Sequence, residues 1–215
     1  MTLCRPAIVL ATMMTFTAPY LCAQTPPPAA PFESGNGQAS LQRPPVSALI
    51  MGKLRVRLEQ TTLDEVRRAA ASGEIAHRGD AGDSTYWLCY TKVGAPAAER
   101  IWLISGEMGG SLHAVTQVSA QVLPDGGATA DCPALPPALQ PLSLDHHLWL
   151  GAAQDNATAW LGAASSPNGA WRSYRYAGKV PGRCDPAGFD LLASLSLHVK
   201  DGHVNALFAG QTTSC

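Results

Sequence analysis

Leu54, Val56 and Leu58 alternate with Arg55, Arg57 and Glu59, and this period of two predicts a half-buried strand over 53–60. The period then lengthens. Leu63, Val66 and Ala70 recur at helical spacing within 61–74, Thr62 and Glu65 form a capping box, and Gly73 stops the helix. A turn-rich loop follows at 77–84, where Asp80 and Asp83 sit among glycines as turn residues. Strands are predicted over 84–91, 100–105 and 113–122, with GEMGG (106–110) turning between the last two.

Residues 123–141, rich in Pro, Gly and Ala, read as a connector, after which the pattern resumes. Leu142, Leu144, Leu148 and Leu150 share one face of a segment over 142–151. Ala153, Ala157, Trp160 and Leu161 then form one helical stripe, and an aromatic strand covers 170–177. The last hairpin, 192–208, turns at Asp201-Gly202, a pair suited to a two-residue type I′ loop. That register pairs Lys200 with His203, Val199 with Val204 and His198 with Asn205. Leu195, Leu197 and Val199 would share an apolar face with Val204, Ala206 and Phe208, while His198 and His203 face water.

The two halves match. HAVTQVSAQ (113–121) and HVNALFAGQ (203–211) each begin with His, end with Gln and place small or apolar residues at alternate positions. The expected fold is therefore α+β. Two tandem β-α-β-β-β repeats, 46–122 and 142–215, would form an antiparallel sheet with helices on one face and an open polar face opposite.

Composition adds the setting. A chain of 215 residues with 46% hydrophobic content can bury a real core, and its formal charge of −1 argues against nucleic acid or an anionic membrane as partner. Arg5, an apolar run over 7–16 and the small Ala23 before Gln24 read as a secretory signal, 1–23, leaving no transmembrane segment after its removal. The Pro-rich stretch 24–45 reads as a disordered tether. Cys4 and Cys22 leave with the signal, so Cys89, Cys132, Cys184 and Cys215 remain as two disulfides of a periplasmic or secreted protein. Their places in the two repeats pair Cys89 with Cys132 and Cys184 with Cys215.

The stretch LGAAQDNATAWLG (150–162), followed by an aromatic strand, resembles the SmpA/OmlA (BamE-like) family of small outer-membrane assembly lipoproteins. Gly151 stands where that family's leading Gly precedes the helix, Ala157 at its mid-helix apolar position, and Leu161-Gly162 at its close. The tandem form is similar to the β-lactamase inhibitor proteins. The resemblance implies a helix-plus-sheet fold and a habit of binding proteins.

No nucleophile elbow, H-E-x-x-H, Walker A or dinucleotide fingerprint occurs, and no cofactor is expected. A hydrolase remains an alternative, requiring Glu107 or Asp145 beside His113, His146 or His147. The aromatic rows are the stronger candidates. Strand 84–91 sends Tyr86 and Tyr90 one way and Trp87 the other, while 170–177 opposes Trp171 to Tyr174 and Tyr176. With His198 and His203 these rings form the expected partner-binding set, since Trp and Tyr dominate protein-binding hot spots. The expected function is a non-enzymatic binding module, inhibitor or accessory factor, that contacts another envelope or extracellular protein through its open sheet face. An envelope-maintenance role like that of the assembly lipoproteins is the other non-enzymatic reading.

Overall fold

A computed structural model of the chain describes residues 25–31, 41–94, 97–124, 126–164, 166–181 and 188–215. The expected signal lies outside the described residues. Eleven strands and two eight-residue α-helices occur among those described. Strands β1 (Ala48–Met51), β2 (Leu54–Arg57) and β7 (Leu142–Leu144) make a three-stranded sheet in the order β2-β1-β7. The eight-stranded sheet holds β3 (Ala76–Arg78), β4 (Thr85–Lys92), β5 (Ala98–Ser105), β6 (Gln117–Leu123), β8 (Ser166–Asn168), β9 (Trp171–Val180), β10 (Phe189–Lys200) and β11 (His203–Ser214). Its order is β3-β4-β5-β6-β11-β10-β9-β8, antiparallel throughout.

This architecture corrects the expected one. The fold is mostly β, with 44% of the described residues in strands and 17% helical, so it is not an α+β layer of helices over one sheet. Nor do the halves stand as tandem β-α-β-β-β units. The strands expected to open each half, β2 and β7, leave the large sheet and flank β1, which takes β2 on one side and β7 on the other. The physical reason lies in β1, whose Ala48, Leu49 and Met51 are buried and leave no polar face to present to water. Gly52 makes the turn into β2 at φ +57, where an added Cβ would stand 2.3 Å from the Ala138 carbonyl oxygen. The strand read over 142–151 stops at Leu144, because His146 and His147 take left-handed backbone angles in a short turn.

Helix α1 (Leu63–Ala70) forms as its local signals require. Thr62 Oγ1 accepts from Glu65 N at 3.2 Å, Glu65 Oε2 accepts from Thr62 N at 2.7 Å, and Leu63, Val66 and Ala70 are buried. Helix α2 (Gln154–Leu161) is weaker. Ala153 at its N-cap offers no capping oxygen, and only Ala157 of the expected stripe is fully buried, with Ala153, Trp160 and Leu161 half-buried. Both helices and the small sheet cover one face of the large sheet, where Leu88, Tyr90, Ile101, Leu103, Leu195 and Leu207 meet Leu49, Leu63 and Leu144 in one core.

Hairpin β10–β11 turns at Asp201-Gly202 with both residues at positive φ, and Lys200 faces His203 as the sequence predicts. One register detail differs. A bulge between His198 and Val199 sets His198 opposite Ala206, leaving Asn205 as the extra residue. The faces therefore exchange beyond the bulge: Leu207 and Ala209 enter the core opposite Leu197 and Leu195, and Phe208 turns to the other side.

Tyr90 shows how closed this core is. Its hydroxyl donates to the Ser72 carbonyl at 2.9 Å, and burial pushes its pKa up to about 12. The neutral phenol is thus favoured by folding. Its contribution is fully present below the unfolded tyrosine value, near 10, and is lost as pH rises from there through the folded value of about 12. Denaturant midpoints of Tyr90→Phe and the parent measured from pH 9 to pH 12 should converge for this reason; a gap that does not depend on pH would refute it.

Candidate partner-binding surface

The face of the large sheet turned away from the core begins at β4 and β5. Trp87, Cys89, Trp102 and Ile104 project there, with Cys89 opposite Trp102 and Trp87 opposite Ile104 across the strand pair. Cys89 is bonded to Cys132, which ties the connector down onto this row. Backbone bonds continue the attachment: Thr91 N donates to the Pro133 carbonyl and Leu135 N to the Thr91 carbonyl, each at 2.8 Å. Cys215 is disulfide-bonded as well, and Cys184, its expected partner, lies outside the described residues.

The stretch expected to be a free tether is attached where it is described. Trp87 Nε1 and Trp102 Nε1 both donate to the Thr25 carbonyl, at 3.1 and 3.2 Å, and Thr25 N donates to Asp131 Oδ2 at 2.7 Å. Leu41 N donates to the Arg175 carbonyl on β9 at 3.1 Å. Hydrogen bonds from Thr129 and then Thr25 hold the Asp131 carboxyl far below the usual carboxylate range, so it is ionised when it receives Thr25.

Farther along the same face, Ser119, Ser173 and Ser196 are buried, and the Ser173 and Ser196 hydroxyls meet at 2.9 Å. The polar face read as open is closed at its centre. The rings divide accordingly. Trp87, Tyr90 and Tyr174 are buried, whereas Tyr86, Trp171, Tyr176 and His198 are half-buried and His203 is exposed. Trp171 and His198 meet edge to face at 5.1 Å, and the His203 ring contacts the Asp201 carbonyl at 2.9 Å. They form no single row.

A different surface gathers at the loop 106–113. Tyr86 is clamped between His77, stacked at 4.2 Å, and His113, at 3.8 Å. His113 closes a loop whose Met108 is 49% and Leu112 75% exposed. The backbone around these side chains is tied at several points. Gly106 N donates to Thr116 Oγ1 at 3.2 Å, and Gly109, Gly110, His113 and Ala114 each donate to a carbonyl within the loop. Gly109 sits where a Cβ would be 2.6 Å from the Ala114 carbonyl oxygen, so this tight path excludes a side chain. Met108 also walls an open groove with Val180 and Leu191, at whose floor the Glu59 carboxylate accepts from Gln211 Nε2 at 2.9 Å and Thr213 Oγ1 at 2.7 Å.

No known protein family, curated protein or solved structure matches the chain. Function must therefore be read from the site. Asp145 takes bonds from Ser47 N at 2.7 Å and Arg55 Nη2 at 3.3 Å rather than from a histidine. His146 stacks on Trp160 at 3.8 Å. Among the described residues no histidine ring pairs with a carboxylate and no group of metal ligands converges. From the sequence a turn is expected only over 106–110 and a strand from His113, whereas β6 starts at Gln117 and the loop runs on to His113. The signal available was two large apolar side chains, Met108 and Leu112, inside a Gly-rich segment that would bury neither.

Proposed function

We propose that this is an exported, disulfide-braced binding protein without catalytic activity, which grips another envelope or extracellular protein through loop 106–113 and the ring stack beside it. One observation carries the reading. Met108 and Leu112 are held out to solvent in a loop whose Gly106, Gly109, Gly110 and His113 amides are hydrogen-bonded, so the loop loses little freedom when it docks. Tyr86 supplies the aromatic anchor, steadied by an imidazole on each side. Met108 suits such a role because its unbranched thioether adapts to irregular surfaces.

The setting supports export. The Cys89–Cys132 disulfide is consistent with an oxidising compartment, and no described helix is long and apolar enough to cross a membrane.

The test is capture from the producing cell's envelope and medium with the purified chain as bait. A specific partner should bind at least tenfold more weakly to Met108→Ser/Leu112→Asp, since hot-spot truncations cost about 2 kcal/mol or more. Trp171→Ala, on the other side of the sheet, should bind as the parent does. Equal binding by the loop variant and the parent would reject this surface.

A further inference from the structure

Trp87 and Trp102 are 4% and 1% exposed, yet their indole N–H groups both meet one backbone carbonyl, that of Thr25. Thr25 also gives its N–H and its hydroxyl to Asp131 Oδ2. Every polar group of that residue is met by side chains from β4, β5 and the connector. The chain that follows is Pro26-Pro27-Pro28-Ala29-Ala30-Pro31, without regular secondary structure, in which Pro27 is half-buried while Pro26, Pro28, Ala29 and Ala30 are exposed. A run of prolines is stiff, extended and without N–H donors, and such segments dock on aromatic surfaces at low entropic cost.

Two features make this a site rather than a packed terminus. The receptor is complete without the arm, because Trp87, Trp102 and Asp131 are fixed by strand pairing and by the Cys89–Cys132 bond. The arm is held at few points, chiefly through Thr25, so it can exchange. We propose that the Trp87–Trp102–Asp131 surface is a receptor for an extended Thr-Pro-Pro segment of a partner protein, occupied in cis by this chain's own residues 25–31. Asp131 reads the N–H and hydroxyl of the threonine, the two indoles read its carbonyl, and the prolines supply the preformed extended backbone. The tethered arm competes at an effective concentration on the order of millimolar, so it screens out weak ligands.

The experiment follows the indole N–H resonances of Trp87 and Trp102 in the full chain during titration with acetyl-QTPPPAAP-amide. The parent should respond only as the peptide approaches roughly millimolar concentration. Thr25→Ala removes a hydrogen bond to a charged acceptor from the arm alone, so its receptor should fill at about tenfold lower peptide. Asp131→Ala removes the acceptor from the receptor, so it should fill poorly with either arm or peptide. A peptide with valine in place of the threonine should fail on Thr25→Ala.

Equal response of parent and Thr25→Ala, or no saturable response in Thr25→Ala, would overturn the proposal. So would a concentration-dependent dimer without peptide, which would instead mean exchange of arms between copies. Loop 106–113 takes no part in this titration, so its outcome is independent of the capture test with Met108→Ser/Leu112→Asp.

Discussion

Replacing Cys89 and Cys132 together by serine should lower stability by about 4 kcal/mol, because the bond closes a segment with a sequence separation of 43 residues. Chain entropy accounts for that figure. The unfolded chain gains the freedom that the cross-link removes, while the folded chain keeps most of its contacts. A second consequence is local. The connector covers Trp87 and Trp102 and carries Asp131, so loosening it should also release Thr25 and expose both indoles. Denaturant unfolding gives the first quantity, and tryptophan emission under native conditions gives the second. A double variant with parental stability and emission would mean that the connector stays seated by its hydrogen bonds without the disulfide.

Trp102→Ala should cost about 3–5 kcal/mol, the range for deleting a buried aromatic side chain and leaving its cavity. Among the described residues Trp102 is the largest fully buried side chain, and it packs in a small cluster with Ala76, Trp87, Cys89, Ile104 and Cys132. Trp102→Phe divides the cost. It keeps a six-membered ring in place and removes the indole donor with its fused ring, while the Thr25 carbonyl retains Trp87, so a smaller loss of about 2 kcal/mol is expected. Urea midpoints of the two variants decide the matter: equal losses would place the stabilisation in the donor and fused ring that phenylalanine lacks.

Local elements were legible wherever the signal lay within a few residues. The α1 capping box, the Asp201-Gly202 turn and the alternation of β4 and β10 each rest on neighbours in the chain, and each forms. The Cys89–Cys132 bond was legible as well, from where the two cysteines fall relative to predicted strands. The bulge at His198/Val199 was not, because one extra residue in a ladder leaves no mark on composition, yet it decides whether Phe208 or Leu207 enters the core. The binding loop was hidden for another reason. Glycines announce a turn but not that the turn holds Met108 and Leu112 outward, which depends on Thr116 and Ala114 beneath it.

Taken alone, the order of residues determined the long strands, the two helices, where the tightest hairpin turns and which cysteines of the first half join, but not the short strands β1, β3 and β8. Those outcomes come from hydrophobic period and backbone preference, which act over a few residues. Only the tertiary structure decided that β1, β2 and β7 leave the large sheet to make their own, that the sheet's outer face is closed at its centre, and that a proline-rich stretch lies against two indoles. Each of these depends on which apolar surface finds which cover, a choice made between segments far apart in the chain.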